Sequence, residues 1–321
     1  MQIYSFLIVY LQIMEAVIVK TTGKIYSVRT LEGRFLSCIL KGKFRTKDIK
    51  STNPIVVGDK VFLELDGDNW MIVDLLKRKN QIIRKSVNLS KQTHIIAANI
   101  DQAILMITLV NPITTTAFID RFLVSANAYG VDVILLFNKK DLYNNELLED
   151  QKYLMEGYRK IGYDVISLSV LNDNLSELKD LMKDKVNIIS GHSGVGKSTL
   201  VNKLQPGLNI ETKAISSNHQ QGQHTTTFSQ LYSLDFGGDI IDTPGIKGFG
   251  LVNINKNELA NYMPEFFLFK NKCKFNNCIH HNEPDCYIKY KLEEGDILQH
   301  RYINYLNMLN EDDSVYRNKV L

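Results

Sequence analysis

Residues 186–198, VNIISGHSGVGKS, decide the fold. Val186 to Ile189 is a short apolar strand, and Gly191-His192-Ser193-Gly194-Val195-Gly196-Lys197-Ser198 fits the pattern GxxxxGK[ST] where that strand gives way to a helix starting near Ser198. The residue types follow from phosphate chemistry. Glycines let backbone N–H groups turn inward around phosphate oxygens, the Lys197 ammonium serves the β and γ phosphates, and the Ser198 hydroxyl ligates magnesium. Ser190 and Thr199 flank the loop and complete its expected contacts. A glycine-rich turn without a ligand is the plainer alternative, and the strand before and helix after the motif weigh against it.

Working outward, Asn138-Lys139-Lys140-Asp141 follows the strand Val131 to Phe137. A carboxylate at Asp141 accepts from guanine N1–H and the exocyclic amine, whereas adenine offers no such donor pair. Beside a P-loop this favours GTP over ATP, because a carboxylate facing adenine would lose its partners. Ser167-Leu168-Ser169 ends the next strand, and the backbone at Ser169 is placed to meet guanine O6. After Asp239-Ile240-Ile241 comes Asp242-Thr243-Pro244-Gly245, where Asp242 would hold magnesium through its water shell and the Gly245 amide would sense the γ-phosphate. Gly222-Gln223-His224-Thr225-Thr226-Thr227 is polar and rich in hydroxyls, as a switch closing on magnesium requires. One of Thr225, Thr226 and Thr227 is the expected ligand. Ile246 stands where a Ras-type enzyme carries its water-positioning glutamine, so intrinsic hydrolysis is expected to be slow, with activation of about 10³ to 10⁵ available from a partner. His224 is the candidate to orient the attacking water, a solvent-facing histidine being the alternative.

The order of these motifs is the anomaly. Base reading comes before the P-loop and DTPG comes last, so the GTPase sheet is circularly permuted. Strands and helices alternate from Ala103 onward, with Phe118, Phe122, Leu123 and Ala126 on one side of the first helix, which predicts a mostly parallel α/β sheet. Upstream the rhythm differs. Val17 to Lys20, Ile25 to Arg29, Phe35 to Lys41, Lys60 to Leu65 and Trp70 to Leu75 are short alternating runs between glycine turns, which predicts a five-stranded β-barrel of the OB type. Lys41, Lys43, Arg45, Lys47 and Lys50 are interleaved through it, and residues 14–85 hold 15 Lys and Arg against 8 Asp and Glu, so this part is expected to meet a polyanion such as RNA. Cys38 is expected to be a core residue.

Cys273, Cys278, His280 and Cys286 form C-x4-C-x-H-x5-C, a closed donor set for one structural zinc, with His281 and Asp285 as rival ligands. Helical pattern follows from Tyr287 to Leu309. The chain is expected to be multidomain, with an N-terminal extension over 1–13, an RNA-binding barrel over 14–76, a linker over 77–93, the circularly permuted GTPase domain over 94–252, and an α-helical zinc-binding domain over 253–321. The apolar start MQIYSFLIVYLQI is too short to span a bilayer and lacks signal-peptide features, so a cytoplasmic protein with no membrane partner is expected.

Together these residues resemble the ribosome small subunit-dependent GTPase A family, RsgA or YjeQ. The resemblance runs from Met14 to Glu311 and includes Lys20-Thr21-Thr22-Gly23, Gly42-Lys43-Phe44-Arg45, Val57-Gly58-Asp59 and Ile246-Lys247-Gly248-Phe249-Gly250. It implies an OB-fold domain, a permuted GTPase and a zinc-binding domain acting in late maturation of the small (30S) ribosomal subunit. It also implies GTP/GDP and 16S rRNA as partners, magnesium and zinc as cofactors, and stimulation by the subunit; a monomer is expected. Gln223 departs from the family, which more often has a basic residue there. Competing readings are a P-loop ATPase or kinase, a permuted GTPase for another RNA or ribosomal particle, and an rRNA clamp with little turnover.

Overall fold

The structure, a computed structural model, describes residues 13–42, 54–85, 93–208, 229–242 and 254–311. Among these, one unit takes in everything up to Asn99 with 229–232 and 241–242, and a second takes in the remainder.

In the first unit, alternation of buried and outward residues makes a sheet that is antiparallel except where the strands Phe35–Leu40 and Asn69–Leu75 run parallel. β1 (Met14–Thr22) pairs with both β2 (Ile25–Thr30) and β4 (Lys60–Asp66), while β3 (Phe35–Leu40) pairs with β2 and β5 (Asn69–Leu75), and β5 with β4. That circuit closes a five-stranded barrel without a free edge, as expected. A register shift between Ile18 and Lys20 lets β1 serve two neighbours. Ile18, Val28, Cys38, Val61, Leu63 and Ile72 fill the interior. Burial pushes the Cys38 thiol up to about 12, which makes it an inert core group.

Residues 81–85 lie in the expected linker but form a strand. β6 (Gln81–Lys85) pairs antiparallel with β7 (Thr93–Ala98), burying Ile82 and Ile95. The Lys, Arg and Asn of this stretch masked a strand whose apolar content is short. Two polar ties fix the hairpin. Arg78 grips the buried Asp59 carboxylate through Nε at 2.6 Å and Nη2 at 2.7 Å, and Ala98 N donates to Val57 O at 3.0 Å.

The second unit is a parallel sheet. β8 (Gln102–Ile107), α1 (Thr116–Ala128), β9 (Asp132–Phe137), α2 (Asn145–Lys160), β10 (Asp164–Ser167), α3 (Ser176–Met182), β11 (Val186–Ser190) and α4 (Lys197–Leu204) follow one another. β10, β9, β8 and β11 lie in that order, all parallel. β12 (Gln230–Ser233) and β13 (Asp239–Asp242) come next in the chain, their residues divided between the two units, and within the second unit Asp239 N donates to Lys185 O just before β11. The chain runs outward from β8 to β10 and returns to β11 on the other side of β8, which creates a switch point at the carboxyl ends of these two strands. Ile104, Met106, Leu136, Leu178, Val195 and Leu200 form the core on one face.

The helical pattern expected over 287–309 is two helices, α6 (Tyr287–Glu293) and α7 (Gln299–Asn310), following α5 (Pro264–Phe269). Val124 of α1 joins Met263, Phe266, Ile288 and Tyr305 in one core. Arg301, 1% exposed, donates to Glu265 at 2.7 and 3.0 Å and to Asp120 of α1 at 2.7 Å. Tyr158 Oη and Asn304 Nδ2 also donate to Asp120, at 2.7 and 2.6 Å. Among the described residues no helix is long and apolar enough to cross a membrane.

Gly58 carries a test of the first unit. Its φ is +88°, and a Cβ there would lie 2.1 Å from Ala98 O, a backbone atom. Gly58→Ala is expected to cost more than about 3 kcal/mol, read as a fall in the urea midpoint of the full chain.

Candidate nucleotide and metal sites

Three loops at the carboxyl ends of parallel strands meet. The loop after β11 carries Gly191, Gly194 and Gly196 with φ of 140°, 84° and 105°, values that ordinary side chains rarely adopt. Its backbone therefore curls into the concave form that presents N–H groups to an anion. Lys197, the first residue of α4, turns its ammonium over this loop and donates to Gly191 O and His192 O, each at 2.7 Å. Burial lowers the Lys197 pKa. Burial, and then the Lys197 charge, lower that of His192, whose ring packs on Phe118 with centroids 4.0 Å apart. Ser190 Oγ is buried and has no partner among the described residues, an open polar atom at the root of the loop.

The loop after β9 supplies the connection. Asn138, 3% exposed, donates from Nδ2 to Val195 O at 2.8 Å and accepts at Oδ1 from Val170 N at 2.9 Å. One side chain thus ties the phosphate-type loop to the loop after β10. Gly196 makes room for it, since a Cβ there would sit 2.8 Å from Asn138 Nδ2. Lys139, in the left-handed region at φ 64°, donates to Gly194 O at 2.8 Å and to Asn111 O at 2.5 Å. Lys140 pairs with Asp173 at 2.7 Å, and Asp141 stands exposed at the rim. Tyr143 lay outside the sequence reading although it follows NKKD closely; its hydroxyl donates to Asn138 O at 2.7 Å and accepts from Leu109 N at 2.9 Å.

Ser169 is buried in this group of loops, and its amide donates to Asp173 Oδ2 at 2.8 Å. The donor expected for guanine O6 is therefore engaged within the chain. Ser193, Ser198 and Thr199 fall on the loop and the first turn of α4, where they were expected. Asp242 closes β13, while its side chain, together with His224, Thr225, Thr226, Thr227, Gly245 and Ile246, lies outside the described residues, as do Lys43, Arg45, Lys47 and Lys50.

The Cys/His cluster passes a geometric test for zinc. Four-coordinate tetrahedral zinc, with Zn–S about 2.3 Å and Zn–N about 2.0 Å, sets S···S near 3.8 Å and S···N near 3.5 Å. Cys278 and Cys286 sulfurs are 3.8 Å apart, and His280 Nδ1 lies 3.6, 3.3 and 3.5 Å from the sulfurs of Cys273, Cys278 and Cys286. Burial pushes the Cys278 thiol up to about 12 and the His280 imidazole down to about 4, and a bound cation would favour the thiolate and the neutral ring that ligation needs. His281 and Asp285 are not part of the set. His281 N donates to Glu283, and Asp285 pairs at the surface with Lys274 at 2.8 Å. Glu283 also accepts from Ile279 N, and the hydroxyls of Tyr302 and Tyr305 on α7 donate to His280 O and Ile279 O at 2.9 and 2.7 Å. These supports were not foreseen, because they act through backbone carbonyls and amides.

The chain is similar to known proteins. A family model described as RsgA GTPase matches residues 75–252, and one described as RsgA N-terminal domain matches 15–72. Relatives named small ribosomal subunit biogenesis GTPase RsgA include one from Flavobacterium psychrophilum, 52% identical over 312 residues that cover 96% of each chain. Another, from Christiangramia forsetii, is 52% identical and covers 95% of this chain and 98% of its own. Among solved structures, YjeQ from Thermotoga maritima aligns with a TM-score of 0.76 at 34% identity, covering 92% of this chain and 97% of that one. YloQ, described as a circularly permuted GTPase, aligns with a TM-score of 0.75 at 30% identity, covering 92% and 94%.

Asn138→Ala leaves Val195 O and Val170 N–H buried without their partner. The expected cost is about 1–3 kcal/mol, with Val170 the amide whose hydrogen exchange accelerates most.

Proposed function

Because the chain belongs to the RsgA GTPase family, we propose that it hydrolyses GTP to GDP and phosphate in the service of late small-subunit maturation, using the cleft joined by Asn138. The observation that carries this reading is the pair of bonds from that one amide to Val195 and Val170. They join the loop after β11 to the loop after β10, which supports reading both as parts of one nucleotide cleft.

On this reading the nucleotide lies across the carboxyl ends of β11, β9 and β10. The Gly191 to Ser198 loop wraps the β-phosphate, and Lys197 exchanges its two carbonyl partners for phosphate oxygens. Asp141 accepts from the guanine edge. Ser198 and Asp242 would hold magnesium, which when bound neutralises charge developing on the phosphates. His224 orients the attacking water, with Thr225 or Thr226 on the metal side. A monomeric chain in the cytoplasm engages 16S rRNA through the barrel of residues 14–76; residues 94–252 form the GTPase domain, and residues 253–321, stapled by one zinc, form the third domain.

Turnover of GTP by the full chain is expected to be slow alone and to rise at least about a hundredfold with small ribosomal subunits, within the range a completing partner supplies. Equal rates with and without subunits would refute the proposed dependence. Asp141→Asn is expected to move preference from guanine to xanthine nucleotides, since an amide complements a second carbonyl where guanine has its amine. Elemental analysis is expected to find one zinc per chain. Its removal by a strong chelator is expected to unfold the module around Cys273 to Cys286 first, because such sites contribute on the order of 10 kcal/mol. A chain that is metal-free and equally stable would remove zinc from the account.

A further inference from the structure

α4 begins in the phosphate cradle at Lys197, and its far end carries a second lysine that reaches the base side of the cleft. Lys203 Nζ lies 2.8 Å from Val170 O, 2.9 Å from Asp173 O and 3.2 Å from Leu171 O. An ammonium has three donors, and this one meets three carbonyls of a single loop. Three carbonyl dipoles converging on one point repel one another, so the loop keeps this shape because the cation is there.

The remaining polar groups of the loop are nearly all spent. Ser169 N donates to the Asp173 carboxylate and Val170 N to Asn138, while Asn172 N and Asp173 N both donate to Ser169 O, at 3.1 and 2.8 Å. Leu171 is the residue between them, 72% exposed, and its N–H has no acceptor among the described residues. Its orientation is not independent of Lys203. The Val170 carbonyl and the Leu171 N–H belong to one planar trans peptide and point in opposite directions, so holding the carbonyl toward Lys203 aims the N–H away from α4.

We propose that Lys203 is a positioning residue for base selection, and that the donor it presents to the purine C6 oxygen is the Leu171 amide. This deepens the guanine reading of the same cleft and rests on it. The role first expected of Ser169 passes to a neighbour two residues on, because the Ser169 N–H is already committed to Asp173. Lys203 also gives the cleft a rigid strut, since the helix that starts at the phosphates ends on the base loop.

The test compares dissociation constants of the full chain for GDP, 6-thio-GDP and IDP. The sulfur analogue keeps N1–H and the 2-amine but has a poor acceptor at C6, whereas IDP keeps the C6 oxygen and lacks the amine. Native protein is expected to prefer GDP over 6-thio-GDP by on the order of tenfold, one good hydrogen bond. Lys203→Met is expected to reduce that preference to about threefold or less while leaving the GDP to IDP ratio unchanged, and Lys203→Arg is expected to restore it. Lys203 is exposed on a helix, and a melting temperature for each variant verifies that it is folded. Equal weakening toward all three nucleotides, or an unchanged 6-thio ratio in a folded Met variant, would overturn the proposal. Native protein that fails to distinguish GDP from IDP would instead overturn the guanine reading itself.

Discussion

A buried carboxamide holds the site together. Asn138 is the only side chain among those described that bonds both to the loop after β11 and to the loop after β10, and it does so with a donor on one side and an acceptor on the other. No charged group could do both at this depth without a large desolvation cost, and no apolar group could do either. The left-handed turn at Lys139, the Tyr143 hydroxyl and the absence of a side chain at Gly196 all serve to keep that amide in place. The loops after β11 and β10 are thereby held at a fixed separation by one side chain.

Much of this was legible in the sequence where the physics is local. Alternation with period two marked β1 to β5, and strand followed by glycine-rich turn and helix marked β11 and α4, because each depends on a few adjacent residues. The four cysteine and histidine residues of the cluster lie within one short segment, so their spacing alone brought them together. Between the adjacent His280 and His281, the sequence reading chose His280 and kept His281 as a rival. The structure separates them by backbone geometry: His280 sits at φ 60° with its ring turned to the sulfurs, while the amide of His281 is taken by Glu283.

What escaped the sequence is long-range or hidden by composition. β6 was obscured because its two isoleucines are adjacent, with a register shift between them, and are set among Gln, Arg and Lys, so no period-two alternation marks the strand. The Ser169 amide looked available because nothing in the linear order says that Asp173 turns back to accept it. Arg301, a basic residue in a helical run, carried no sign that it would be 1% exposed between two carboxylates. A charge of that kind is interpretable only once its partners on α1 and α5 are in view.

That buried guanidinium has a consequence for how the chain comes to exist as a stable object. Asp120 lies on the first helix of the nucleotide-binding sheet, yet two of its partners, Arg301 and Asn304, belong to the last described helix. As the polypeptide emerges from synthesis, the early helix carries an uncompensated acid on what will become its inner face until the final helix arrives. The carboxy-terminal segment is in this sense a built-in folding escort for the enzyme. Replacing any one of Asp120, Glu265 and Arg301 alone leaves a buried charge without its partner.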